Sequence, residues 1–170
     1  MPRREFLTGT AALAVLATAG SFLFSRFAGP AKAAQPAKSF PLTKTDEEWR
    51  AQLSPQQFDV LREHGTERAF TSPLNDEHRA GVFHCAGCDQ PVYASETKFD
   101  SGTGWPSFYQ AVAGGVGTSE DRSFLMVRTE CHCARCGGHL GHIFDDGPKP
   151  TGKRHCINGV AMTFKPASAV

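Results

Sequence analysis

Hydrophobic positions follow three different patterns along the 170 residues. From Thr8 to Phe24 they form an alanine-rich, almost unbroken run. From Thr45 to Glu63 polar and apolar residues alternate at helical spacing. After Gly65 that period disappears, and short apolar runs stand between Gly, Pro and Asp turns. Thr45 and Glu48 have the spacing of a capping box, in which each side chain satisfies the other residue's amide, and predict a helix through about Leu53. Ser54-Pro55 with Gln57 repeats the signal, with proline at the first helical position, and Gly65 is the expected stop. GVFHC, PVYAS, SFLMVRT and GVAMTF read as strands.

Composition alters this little. Lys+Arg 18 against Asp+Glu 17 leaves a net charge of +1, which argues for neither a nucleic-acid partner nor an anionic surface. With 17 Gly and 11 Pro, the fold should be turn-rich and strand-heavy. The N-terminus does alter the picture. Arg3 and Arg4, the apolar run and the small residues Ala31 and Ala33 are the three parts of a secretory signal. RREFL resembles a twin-arginine export signal, so export to the periplasm is expected, with cleavage near Ala33. An uncleaved membrane anchor is the alternative, though the run is short of about 20 residues and Arg26 interrupts it. Residues 1–33 are thus read as signal, 34–44 as linker, 45–166 as the folded domain and 167–170 as a tail.

Six cysteines carry the candidate chemistry. Cys85 with Cys88, and Cys133 with Cys136, form two CxxC pairs, and a tetrahedral zinc ion wants four thiolates at about 2.3 Å. Gly87, Gly137 and Gly138 suit tight turns whose amides face the sulfurs. Such a closed site would be structural. Two disulfides compete in an exported chain, but a CxxC bridge closes a very small loop and adds little stabilisation. A redox CxxC wants a βαβ context, and a zinc deaminase wants H-x-E with P-C-x-x-C; neither pattern is present.

Cys131 and Cys156 remain. In RHCINGVAMTF a period of two puts Arg154, Cys156 and Asn158 on one face. The guanidinium, with His155 nearby, favours a thiolate and predicts a lowered pKa. A buried structural cysteine is the plain alternative. HLGHIFDDGP supplies His139 and His142, and GTGWPSFYQ supplies Trp105, Phe108 and Tyr109 in a segment expected to be loop rather than inner strand. These types suit nucleophilic chemistry on a small, partly apolar group, or a Trp105 pocket that holds a modified side chain without chemistry.

GTERAFTSPLN, GVFHCAGC, KFDSGTGWPSF, CARCGGHLGHIFDDGP and RHCINGVAMTF occur in the order found in the methionine-R-sulfoxide reductase (MsrB) family. The resemblance runs from about Trp49 to Phe164. It implies a mainly β fold, a β-tent of two antiparallel sheets with short N-terminal helices. One structural zinc would be held by Cys85, Cys88, Cys133 and Cys136, away from the catalytic centre. The implied activity is reduction of the R epimer of methionine sulfoxide in oxidised proteins and peptides, with Cys156 as nucleophile and Arg154 and Asn158 beside it. His139 and His142 match histidines that bind the sulfoxide and assist proton transfer. Trp105, with Phe108 in the same GWPSF string, matches the residue that packs on the substrate methyl. Attack would leave Cys156 as a sulfenic acid.

This chain departs from the family at Thr103, where many members carry a resolving cysteine. Cys131 is the remaining internal candidate. Direct reduction by an external, thioredoxin-like thiol is the preferred expectation. Asn158-Gly159 stands where some members have Asn-Ser. A monomer is expected, touching the membrane only through its signal.

Overall fold

The computed structural model describes residues 39–123 and 126–168. The expected export signal lies outside the described residues. Among the described residues no helix is long and apolar enough to cross a membrane.

Two short helices come first, α1 (Asp46–Gln52) and α2 (Pro55–Glu63). Both capping boxes form: Thr45 and Glu48 exchange side-chain-to-amide bonds, and Ser54 and Gln57 do the same. Each cap contributes about 1 kcal/mol, which matters for helices too short to be stable alone. The stop falls one residue before the expected glycine. His64 takes the left-handed conformation (φ 59°), and the Gly65 amide reaches back to the Asp59 carbonyl at 2.9 Å. Trp49, Phe58, Val60 and Leu61 are the buried side of the pair.

Nine strands follow among the described residues: β1 (Gly81–Cys85), β2 (Pro91–Ala94), β3 (Lys98–Phe99), β4 (Ser107–Phe108), β5 (Val116–Asp121), β6 (Arg128–Cys133), β7 (His139–Phe144), β8 (Arg154–Ile157) and β9 (Met162–Pro166). They build two antiparallel sheets, ordered β2-β1-β9 and β3-β4-β8-β7-β6-β5, so the mainly β expectation holds. The sheets meet through aromatic rings. Phe108 of β4 stacks on Tyr93 of β2 with centroids 4.3 Å apart and meets Phe83 of β1 edge-on at 5.0 Å. Full burial of one such ring contributes about 1.5–3 kcal/mol.

Three strand expectations need correction. In GVAMTF, Gly159–Ala161 make a 3-10 turn and the strand begins only at Met162. SFLMVRT gives β6 only Arg128 and Thr129, while Met126 and Val127 are exposed. The hairpin partner β5 (VGTSED) is an edge strand with no buried residue, so no apolar alternation marks it. GTGWPSFYQ does contain an inner strand, β4, between β3 and β8. Its two residues are too few to show a period, yet both are fully buried.

Candidate functional site

The two CxxC pairs leave the ends of β1 and β6 and so bring the two sheets together. Their four sulfurs lie within 4.8 Å of one another, with Cys85 Sγ 3.7 Å from Cys136 Sγ and Cys88 Sγ 3.4 Å from Cys133 Sγ. Thiolates tetrahedral around zinc are about 3.8 Å apart, whereas a disulfide requires about 2.05 Å. The donor set therefore suits a metal such as zinc, with protein at every corner. Both turns close alike: the residue after the second cysteine is left-handed, Asp89 (φ 61°) and Gly137 (φ 69°), and its amide returns to the first cysteine's carbonyl. At Gly137 a side chain would also collide with Phe40. That phenylalanine belongs to the stretch read as linker, of which Leu42 also docks here, donating its amide to the Arg135 carbonyl at 2.9 Å. The helices cover the other side, Arg62 bonding the Cys136 carbonyl and Gln52 the Gly87 carbonyl.

A second constellation lies on the face of the six-stranded sheet turned away from β2. Strand register places Ser119, Glu130, His142, Cys156 and Ser107 in one row across β5, β6, β7, β8 and β4. Laterally paired residues share a face. Cys131, Gly141 and Ile157 make the next row and face the core.

His139 joins the first row through a bulge. Cys131 pairs with Gly141 but His132 pairs with His139, which leaves Leu140 as an extra residue in β7. Without it, alternation would turn His139 toward the core; with it, His139 shares the face of Glu130 and His142. Its Nδ1 donates to Glu130 Oε1 at 2.9 Å, and its ring stands 5.3 Å from that of His142. The bulge carbonyl is not left bare: Leu140 O accepts both the amide and the side-chain Nδ2 of Asn158, at 2.9 and 3.0 Å. Asn158 thus fixes the bulge that turns His139.

Cys156 and Asn158 line a cavity of about 160 Å³ with Trp105, Phe144, His142, Thr66 and Arg128. Trp105 is held by its Nε1 donating to the Glu67 carbonyl at 3.1 Å. Glu67 also gives its amide to Asn158 Oδ1, and its carboxylate takes the amides of Gly159 and Val160. This buried glutamate of GTERAF therefore ties two walls of the pocket, Trp105 and Asn158, to the turn that follows Asn158. A side chain at Gly159 would overlap the Ser72 hydroxyl, so glycine makes room there. A larger cavity of about 510 Å³, near Gln56, Thr71 and Met162, holds no cysteine or histidine.

The electrostatics around Cys156 reverse one expectation. Burial pushes its thiol up rather than down; the Arg154 guanidinium and the Thr103 hydroxyl, 4.0 Å from Sγ, only partly oppose this. Arg154 also divides its charge, forking onto Asp146 with two bonds of 2.9 Å while lying 4.5 Å over the Phe144 ring. His155 does not help the thiolate, because it faces the core, with Nδ1 3.1 Å from Tyr93 Oη, and burial lowers its pKa to about 4. His142 is pushed below the usual histidine range by burial, which outweighs its 2.8 Å bond to Asp121. Burial also opposes ionisation of Glu130, yet hydrogen bonds from His139, His64 and Ser119 hold its carboxyl far below the usual range.

Of the residues singled out in the sequence, Cys156, His142, Trp105 and Asn158 meet at this pocket, with His139 and Arg154 alongside. Phe108 does not: it is fully buried between the sheets, and Phe144 supplies the second aromatic wall. Cys131 does not either, being fully buried on the opposite face. Sequence reading missed Glu130, Asp121, Glu67 and Phe144. The first two become visible only through cross-strand register, and Glu67 through bonds across more than ninety residues.

Fold and site define a two-sheet β protein with a tetracysteine knuckle and a separate thiol–histidine pocket. The SelR domain family matches residues 53–166. Peptide methionine sulfoxide reductase MsrB of Agrobacterium fabrum is 54% identical over 126 residues, 74% of this chain and 93% of the relative. The protein of the same name from Thiobacillus denitrificans is 56% identical over 124 residues, 72% of this chain and 94% of the relative. The chain belongs to the methionine-R-sulfoxide reductase (MsrB) family. Among solved structures, the Mis18 "Yippee-like" domain aligns at 20% identity and TM-score 0.44 over 54% of this chain and 100% of that one, too loose an overlap to define the fold.

Proposed function

We propose that this protein repairs oxidised proteins and peptides by reducing the R epimer of methionine sulfoxide, with Cys156 as nucleophile. The observation that carries this reading is the meeting of a half-buried thiol, a histidine and two aromatic side chains at one cavity of about 160 Å³. That volume is below the roughly 300–1,000 Å³ of small-molecule pockets, and suits the tip of a side chain better than a whole cofactor. The sulfoxide methyl packs on Trp105 and Phe144, where aromatic faces discriminate epimers by shape.

Cys156 attacks the sulfoxide sulfur while a proton reaches the oxygen. His139 and His142 each have one ring nitrogen tied to a carboxylate, Glu130 or Asp121, which supports protonation at the other nitrogen as the S–O bond weakens. Oxygen passes to Cys156 as a sulfenic acid. The cysteine sulfur loses two electrons, the substrate sulfur gains them, and methionine leaves. One external thiol then condenses with the sulfenic acid, releasing water, and a second thiol frees Cys156. The preferred donor is a thioredoxin-like dithiol, because the loop side chain 4.0 Å from the Cys156 sulfur is the Thr103 hydroxyl rather than a thiol. Cys85, Cys88, Cys133 and Cys136 hold a structural zinc ion, which joins the sheets and takes no part in the reaction. Arg3-Arg4 and the apolar run support export to the periplasm.

A stereochemical assay tests the activity. The R epimer of a methionine sulfoxide peptide should be consumed with Cys156→Ser inactive, and preferential use of the S epimer would overturn the assignment.

A further inference from the structure

One donor cluster beside the reaction pocket joins the Glu130–His139 pair used above to a third residue, His64, that the chemistry leaves without a role. Glu130 Oε1 lies between His139 Nδ1 at 2.9 Å and His64 Nδ1 at 3.1 Å, and the three donor atoms fall within 4.8 Å of one another. We infer that His64, Glu130 and His139 form a second cation site, for a zinc-class divalent ion, whose occupation inhibits the enzyme. Binding itself does not depend on the proposed function; the inhibition does.

Two imidazoles and a carboxylate are a donor set that zinc takes while keeping a fourth position open. With ligands at about 2.0–2.2 Å, neighbouring donors around a tetrahedral ion stand about 3.3–3.6 Å apart. The two spacings to Glu130 are a few tenths of an ångström shorter, as expected where a proton rather than a metal lies between the atoms, and the two ring nitrogens are within 4.8 Å of each other. The site is preorganised. The other Glu130 oxygen accepts the Ser119 hydroxyl at 2.5 Å, which aims the first oxygen at the two rings. His139 is 2% exposed, its Nε2 has no hydrogen-bond partner among the described residues, and its ring packs against His64 at 5.0 Å.

Access comes from the opposite ligand. The His64 side chain is 62% exposed at the end of α2 and borders a cavity of about 470 Å³ that also reaches Glu63, Glu120 and Asp121. Arg50, Arg122 and Arg128 pair these acids, so the attraction for a cation rests on Glu130 itself, and the cavity has room for water at the fourth position. A metal on His139 Nδ1 forces the remaining ring proton onto Nε2. That N–H can still donate a hydrogen bond, but it is a far weaker acid than an imidazolium, so it cannot deliver a proton to the sulfoxide oxygen.

Zinc counting separates this site from the others. Cys156→Ser protein, in which the reactive thiol cannot bind metal, is dialysed against defined free Zn²⁺ and its metal content is compared with that of the Cys156→Ser/His64→Asn double variant. Asparagine tolerates the left-handed backbone at position 64, so the fold is preserved. Cys156→Ser should hold one more ion per chain than the double variant, with affinity for that ion weakened at least about tenfold, as loss of even an indirect contact does. Because the readout is a difference of one ion, it stands whatever the knuckle holds. With Cys156 present, His64→Asn, compared with its own rate without added zinc, should lose the inhibition that Zn²⁺ causes in the wild type. Absence of the extra ion, or its retention in the double variant, would overturn the site. Equal inhibition of wild type and His64→Asn would overturn its regulatory effect.

Discussion

Cys131 and Cys156 lie on opposite faces of the same six-stranded sheet, in adjacent rows of its register. Cys131 is fully buried, with Sγ 3.1 Å from Tyr93 Oη, and burial pushes its thiol up to about 12. Such a thiol is protonated at neutral pH and cannot reach Cys156 unless strands part. One turnover without reductant should therefore leave a trappable sulfenic acid at Cys156. Cys131→Ala should keep its turnover while losing roughly 1–3 kcal/mol of stability from the cavity and the lost Tyr93 contact. A Cys131–Cys156 link found by peptide mapping after one turnover would refute this.

Thr103 Oγ1 lies 4.0 Å from Cys156 Sγ, where the family resemblance leads one to expect a resolving thiol. Its hydroxyl is 2.8 Å from Ser101 Oγ, which is in turn 2.7 Å from Ser107 Oγ, so a chain of hydroxyls fixes it near Cys156. Gly102 and Gly104 flank it in left-handed conformations. Thr103→Cys places a sulfur on a loop able to close to disulfide distance. After one turnover this variant should show a disulfide between positions 103 and 156 and little trappable sulfenic acid. Mass spectrometry that still finds the sulfenic acid would mean the loop cannot close.

Glu130 positions His139, and its removal should be felt in both turnover and acid stability. Glu130→Gln keeps the shape but no longer favours a charged imidazole, so turnover should fall about 10²-fold or more, toward the full value of a general acid. Because the folded carboxyl sits far below its usual range, its stabilisation is present above about pH 4.5 and is lost as pH falls through the depressed value. The variant should thus be less stable than wild type by about 2 kcal/mol near pH 7, with the gap narrowing below about pH 4. Urea melts across pH would check this, and a gap independent of pH would assign the loss to packing instead.

Much of this was legible in the chain, and what was not has a physical reason. Both capping boxes and the knuckle pairs depend on local spacing, which sequence displays directly, whereas the thiol–histidine–tryptophan grouping, spread from position 105 to 156, was implied by the family resemblance. Phe108 was misplaced because adjacent residues in a strand face opposite ways: in GWPSF, Ser107 shares the row of Cys156 while Phe108 turns to the core. The pKa of Cys156 was misread because sequence shows the adjacent cation but neither the burial around the thiol nor the Asp146 fork that shares Arg154. Glu130 stood beside the cysteines in ECHCARCGG without a visible role, since its partners are assigned by pairing and by the bulge at Leu140.

Arg154 and Asp146 should shift the reactivity of Cys156 in opposite directions. Burial raises the thiol's pKa; Arg154 opposes it and Asp146 adds to it. Turnover per encounter, kcat/KM, reports the free enzyme, so its rising limb follows ionisation of the thiol. Arg154→Gln removes the opposing cation and should move that limb, and the pH dependence of alkylation by iodoacetamide, to higher pH. Asp146→Asn removes the like charge and leaves the whole guanidinium to the thiolate, so both profiles should move to lower pH. If the two variants shift the same way, the Arg154–Asp146 fork acts by holding Phe144 against the pocket rather than by charge.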